Sequence, residues 1–303
     1  MQNFINEKMN KIYADFNKNL DVEKQYCILK RFRFDGNNIP DYNNEIMQQY
    51  YLLKYLPAYY AEYYWIYSKI IELKFLNDDF NILSIGCGAG IDLWSIHYAA
   101  KSKKLNKKIR YTGYDIINWK YWDDCDEEVY FFHQDISKLL DFNKDKYNII
   151  IFPKSIGEFN LSCFKNLKNC IKRTDFDSEK IIFILSMRNT RAGDDMNRVR
   201  EIISIMNNKG YKILDDMNKY TVFNKKNNGH PYRINDIIPN LKYPSDILNS
   251  MINFYKDCQG YIDNNNKCCE ESCKELFTRN PITTMSQVSY KIIKLERMEW
   301  FIW

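Results

Sequence analysis

The 303-residue sequence contains no run that a membrane or a secretion apparatus would recognise. Its N-terminal stretch MQNFINEKMNKIYADF carries charges throughout and lacks the apolar core of a signal peptide, and no later window reaches spanning length without a Lys, Glu or Asp. A cytoplasmic location with no membrane partner is the expectation. Paired cysteines are missing too: the nine cysteines are odd in number and unevenly spread, which favours reduced thiols or a metal site over a disulfide framework. There is no strong charge of one sign. A formal charge of +5 permits a nucleic-acid partner without requiring one, because recognition needs a basic face and not a small excess. What is plentiful is apolar and aromatic: 45% hydrophobic residues suffice for one large core or a core with an appended subdomain. The 24 Tyr and 18 Phe accompany many Asn and Lys, a pattern that partly follows codon bias toward A and T, so isolated residues of these types are not read as signals.

The stretch NILSIGCGAG organises the chain. Ile82, Leu83 and Ile85 read as a short buried strand, and Gly86, Gly88 and Gly90 end it where the helical pattern IDLWSIHYAA begins. Glycine tolerates positive φ and has no Cβ, so backbone N–H groups in such a turn can approach a ligand closely. The spacing is G-x-G-x-G, with Ile91 where the dinucleotide fingerprint wants its last glycine, and no Lys-Ser/Thr pair follows to make a phosphate loop. A tight turn without a ligand is the competing reading of this stretch alone.

Successive strands follow. IRYTGYDI ends in Asp115, about 20 residues past the turn, where an acid of a doubly wound sheet accepts both ribose hydroxyls of a nucleoside; carboxylate suits this because it only accepts. EEVYFFHQDI ends in Asp135 and Ile136. YNIIIFP is a continuous apolar run of doubly covered type leading into Pro153, Lys154 and Ser155. Ser155 and Glu158 are the polar groups there; Glu158 is placed either to orient or deprotonate a nucleophile or to cap the next helix. KIIFILSM delivers RNTRAGDDMNRVR on the same sheet edge, where Arg188 and Arg191 are candidates for an acidic or phosphorylated substrate and Arg198 and Arg200 read as solvated helix residues. YKILDD and VSYKIIKLER complete seven strands, with an insertion between them at about residues 218–288.

Other segments carry less. In EIMQQYYLLKYLPAYYAEYYWIYSKIIELKFL, Pro57 reads as the first residue of a second helix, and Tyr60, Tyr64, Tyr67 and Ile71 share helical spacing for packing on the sheet, with a tyrosine lid over a cofactor as the alternative. The basic KSKKLNKKIR reads as a solvated connection or, second, an RNA contact. The acids Asp123, Asp124, Asp126, Glu127 and Glu128 read as a solvated loop. Cys258, Cys268, Cys269 and Cys273 lie within the insertion, Cys269 and Cys273 at helical i,i+4 spacing but with no Cys-x-x-Cys pair, so they point either to Zn²⁺ or an iron–sulfur cluster or to unpaired thiols. His230 reads as a loop residue.

The glycine turn with strand-end acids Asp115 and Asp135 in that order resembles the class I S-adenosylmethionine (SAM) dependent methyltransferases, with Ser84 where an acid is common. The resemblance covers residues 58–217. It implies an α/β fold, a doubly wound, mostly parallel seven-stranded Rossmann-like sheet, with a helical N-terminal extension over 1–75 and a SAM-binding domain over 76–303. It assigns Ser84, Gly86, Cys87, Gly88, Gly90, Asp115, Ile116, Asp135, Ile136 and Pro153 to the cofactor. The Asn/Asp-Pro-Pro-Tyr/Phe step of enzymes acting on exocyclic base amines or glutamine is absent at Phe152 to Ser155, which disfavours that subclass. YLPAYYAEYYWIY, SIGEF and the late cysteines also loosely resemble the methyltransferase-like family associated with the mitochondrial small ribosomal subunit, without its cysteine and histidine pattern. The expected activity is methyl transfer from SAM to a small-molecule or RNA acceptor. A non-catalytic RNA- or ribosome-associated protein keeping the fold, and an interaction protein organised by a cysteine metal site, are the alternatives.

Overall fold

The computed structural model describes residues 2–23, 41–122, 128–142, 146–223, 230, 232–253, 258–265, 281–285 and 288–298. The chain divides into two compact units, one formed by 1–61 with 233–284 and the other by 62–232 with 285–303. The division falls within a helix.

In the first unit, α1 (Gln2–Glu23) buries Ile5, Met9, Ile12, Phe16 and Leu20, an i, i+4, i+7 stripe that fixes which face turns inward. It meets the first half of α2 (Glu45–Leu73), with the rings of Phe16 and Tyr50 6.3 Å apart. Short helices α6 (Ile234–Ile237), α7 (Ser245–Asn253) and α8 (Gln259–Asp263) complete the unit. The expected break at Pro57 is not there: α2 is one helix with the proline inside it. Proline removes the amide that would serve the carbonyl of Leu53 and crowds that turn. Here the Tyr243 hydroxyl donates to the orphaned Leu53 carbonyl at 3.2 Å, the Ile282 amide donates to that of Lys54 at 2.8 Å, and the helix continues.

The second unit holds the sheet. Its strands are β1 (Phe80–Ile85), β2 (Ile109–Asp115), β3 (Val129–His133), β4 (Ile149–Pro153), β5 (Lys180–Arg188), β6 (Tyr211–Ile213), β7 (Thr221–Val222) and β8 (Val288–Arg297), in the order β3-β2-β1-β4-β5-β8-β6. The strands from β3 to β5 pair in parallel, and β8 pairs antiparallel with β5, β6 and β7. The two-residue β7 is the strand beyond the seven expected. Helix α3 (Ile91–Ser102) connects β1 to β2, α4 (Leu161–Arg173) connects β4 to β5, and α5 (Ala192–Asn208) leads from β5 to β6. One core layer packs Leu83, Ile85, Phe152, Leu167, Phe183 and Val199, each fully buried. The second half of α2 contributes Tyr63, Ile66, Tyr67 and Ile70 as its buried stripe; Tyr64 and Ile71 of the expected face are only half-buried. Because the chain steps outward from β1 to β3 and then back to β4, the carboxyl ends of β1 and β4 flank the switch point, the place where open α/β sheets bind ligands. Among the described residues, no helix is long and apolar enough to cross a membrane.

Candidate functional site

At the end of β1 the chain turns through Gly86, Gly88 and Gly90 at φ of 70°, 55° and 76°, the left-handed region that glycine enters without steric cost. Four amides of this turn are taken up inside the protein. Gly86 and Cys87 both donate to the Tyr114 carbonyl, at 2.8 and 3.1 Å, and Gly90 donates to that of Cys87 at 3.1 Å. Gly88 donates to Asp115 Oδ2 at 2.7 Å. In the first turn of α3 the Asp92 carboxylate is held by the Ser84 and Tyr111 hydroxyls. What the turn offers is room: a Cβ at Gly88 would meet only a Trp119 ring carbon, at 4.0 Å. Trp122 borders it, its indole donating to the Gly88 carbonyl at 2.6 Å and stacking on Phe131 at 4.9 Å.

Asp115 stands at the tip of β2, where its Oδ1 accepts from the Ile117 amide at 2.8 Å. With one amide on each oxygen, two of its lone-pair directions remain for a ligand. Burial pushes its carboxyl pKa up, and the two amides pull it down. Next to it Ile116 presents an apolar side chain that is 60% exposed. Asp135 lies two residues past the end of β3 and caps the single 3₁₀ turn Ile136–Lys138, its Oδ1 accepting from the Ser137 amide at 2.8 Å. Ile136 is buried.

The tip of β4 meets the glycine turn directly. The Ser155 hydroxyl donates to the Ile85 carbonyl, and a Cβ at Gly86 would lie 2.4 Å from that of Ser155. Ser155, a catalytic candidate from the sequence, is thus buried and holds the turn with its proton. Before it, Lys154 adopts φ of 62°, outside the range most side chains tolerate. Its ammonium donates to Glu62 of α2 and to Ser186 Oγ of β5 at 2.8 Å, and the Ser186 hydroxyl donates to Glu62 Oε1. Burial pushes Glu62 up and Lys154 down, and their mutual attraction opposes both shifts. The sequence reading passed over this cluster because its members lie far apart along the chain.

Glu158, on the loop after β4, and Arg188, the last residue of β5, pair at 3.3 Å with side chains 55% and 46% exposed. Glu158 does not cap α4; the Asn160 side chain does, accepting from the Cys163 amide at 2.9 Å. Arg191 is exposed beside them. Arg198 corrects the expectation of a solvated residue: its guanidinium donates to the carbonyls of Ile156 and Phe159 at 2.7 and 2.6 Å and braces the loop after β4. Asp195 packs under Gly157, where a Cβ would lie 2.2 Å from Oδ1. Burial pushes its carboxyl up to about 6. Of the cysteine set, Cys268, Cys269 and Cys273 lie outside the described residues, and Cys258 is buried at the start of α8. Among the described residues no cluster of three His, Cys, Asp or Glu side chains is suited to a metal.

No family model matches the sequence, and no curated protein matches it. Solved structures do resemble the fold. The plantazolicin methyltransferase BpumL, in complex with a pentazolic desmethylPZN analogue and SAH, is 12% identical over 96% of this chain and 99% of its own, with a TM-score of 0.44. A putative methyltransferase from Bacillus halodurans is 9% identical over 76% and 97%, with a TM-score of 0.37. A TehB-like SAM-dependent methyltransferase from Corynebacterium glutamicum is 10% identical over 77% and 88%, at 0.36. The chain's own strand order and switch point are those of a Rossmann-like, doubly wound α/β fold.

Proposed function

We propose that this protein binds SAM at the glycine turn and transfers its methyl group to an acceptor held at the tips of β4 and β5. The observation that carries the reading is the polarity of the site. The turn's amides at Gly86, Cys87, Gly88 and Gly90 are consumed internally and carboxylates surround it, so it suits a hydroxyl-bearing, cationic ligand and not a pyrophosphate. The residues fit such a cofactor: Gly88 leaves open space for close approach, Asp115 keeps acceptor sites for two ribose hydroxyls, and exposed Ile116 gives an apolar surface for the base. Asp135, with Oδ1 committed to its cap, would meet the base amine through Oδ2.

When bound, SAM would supply an activated methyl group on a positively charged sulfonium, with a neutral thioether as the leaving group. The protein's part is to position the acceptor and exclude water. Ser155 and Lys154 fix the wall formed by the β4 tip. Glu158 takes the acceptor's proton where the acceptor is protonated at neutral pH, and Arg188 orients that carboxylate. The acceptor class, small molecule or RNA, is left to experiment. Calorimetry tests the reading: the wild type binds SAM, and Asp115→Ala weakens binding at least tenfold, the scale expected for two lost charge-assisted hydrogen bonds. A wild type that binds neither SAM nor SAH sinks it.

A further inference from the structure

Under the glycine turn lies a carboxylate that the assignment above does not use. Asp92, the second residue of α3, is fully buried. Its Oδ2 accepts from the Ser84 hydroxyl of β1 at 2.9 Å, and the Tyr111 hydroxyl of β2 lies 3.0 Å from both oxygens. Two hydroxyls thus hold the carboxylate, and no ion pair joins it among the described residues. The other titratable groups facing it are Tyr67 of α2, whose buried hydroxyl has no partner among the described residues, Cys87 of the turn, and beyond that Asp115. All three are neutral or negative near pH 7, so none offsets the charge. Burial holds the Asp92 carboxyl at about 6, so it is ionised at neutral pH.

A buried anion that lacks a counter-cation raises the energy of the empty protein and is stabilised when a cation arrives nearby. The glycine turn joins Ser84 to Asp92 along the chain, and its amides at Gly86, Cys87, Gly88 and Gly90 are consumed internally. We propose that Asp92, held by Ser84 and Tyr111, is the specificity-determining charge that makes the glycine turn prefer a cationic sulfonium ligand over its neutral thioether counterpart. The inference rests on SAM being the ligand. It assigns Asp92 a consequence for turnover as well: the sulfur loses its charge when the methyl leaves, so the same field that favours SAM disfavours retention of SAH.

The test is calorimetric binding of SAM and of SAH to the wild type and to Asp92→Asn, with a thermal melt to confirm folding. Asp92→Asn is expected to weaken SAM about tenfold, the scale of one charge acting through the protein, while SAH affinity changes less than about twofold on the same electrostatic argument. Equal losses for both ligands, or no loss for either, overturn the proposal and leave SAM binding itself intact. A wild type that binds neither ligand fails the reading of the site and this inference with it. If Asp92→Asn does not fold, the exchange Ser84→Asp with Asp92→Ser returns one carboxylate to the same pair of positions. The folded exchange variant is expected to keep the preference for SAM over SAH, and losing it overturns the proposal.

Discussion

The glycines of the turn are held for different reasons, and substitution separates them. At Gly86 a methyl group would collide with the Ser155 Cβ at 2.4 Å, a contact between two backbone-tethered atoms that no rotamer relieves. At Gly88 the same methyl group meets nothing closer than 4.0 Å. Both positions have positive φ, for which alanine costs roughly 1–2 kcal/mol. Gly86→Ala is therefore expected to destabilise by at least about 2–3 kcal/mol, adding a core-like overpacking cost to that strain, with the β1 and β4 tips forced apart. Gly88→Ala should cost only the backbone strain, and yet it should abolish SAM binding because its Cβ stands in the open space above the turn. Urea denaturation and calorimetry on the two variants check the split. Equal losses of stability would mean that the turn is not supported by Ser155.

At the scale of elements, strands β4 and β5 and helix α2 are joined by the Lys154, Glu62 and Ser186 cluster, with Lys154 and Glu62 side chains 6% and 0% exposed. Removing one member leaves a buried charge without its partner, so Glu62→Leu is expected to cost about 3–5 kcal/mol. Glu62→Leu with Lys154→Met replaces both charges by apolar groups and should recover most of that loss, which equilibrium unfolding of the single and double variants measures. This cluster also shows where sequence reading stops. The strands and the Asp115 tip were legible because their signals are local: apolar runs, three glycines, an acid at a strand end. Glu62 and Lys154 are 92 positions apart, and nothing near either announces the other. Asp92 was missed for the same reason, since its partners Ser84 and Tyr111 come from two strands that only the sheet brings together. Pro57 misled in the opposite direction. Its local meaning is a helix start, and it was overruled by the Tyr243 hydroxyl, 190 residues from the carbonyl it serves.

For the whole molecule, the buried acids set how stability depends on pH. Asp92 and Asp195 both titrate at about 6 in the folded chain, against an ordinary value of 3.8, because burial penalises their charged forms. Raised acids bind protons more tightly in the folded state. Their contribution is fully present below pH 4 and is lost as pH rises through about 6. Glu62 and Asp115 shift in the same direction. The opposing set, Glu72, Asp177 and Asp216, is exposed and held below the ordinary values by partners such as Lys103 and Lys146, so its contribution disappears only as pH falls below about 4. Repulsion among the 44 lysines and arginines also grows in that acid range, once carboxylates are neutral. The thermal midpoint is therefore expected to peak near pH 5 and to fall between pH 5 and 7. Each two-unit shift is worth at most roughly 3 kcal/mol. Asp92→Asn should flatten that fall by removing one of the two groups, and Asp92→Asn with Asp195→Asn should flatten it further, as melts across pH 4–8 would record. A midpoint that rises from pH 5 to 7 in the wild type would mean that these carboxyls are not held protonated by the fold, and the charge assigned to Asp92 under the glycine turn would then have to be met by a cation already inside the protein.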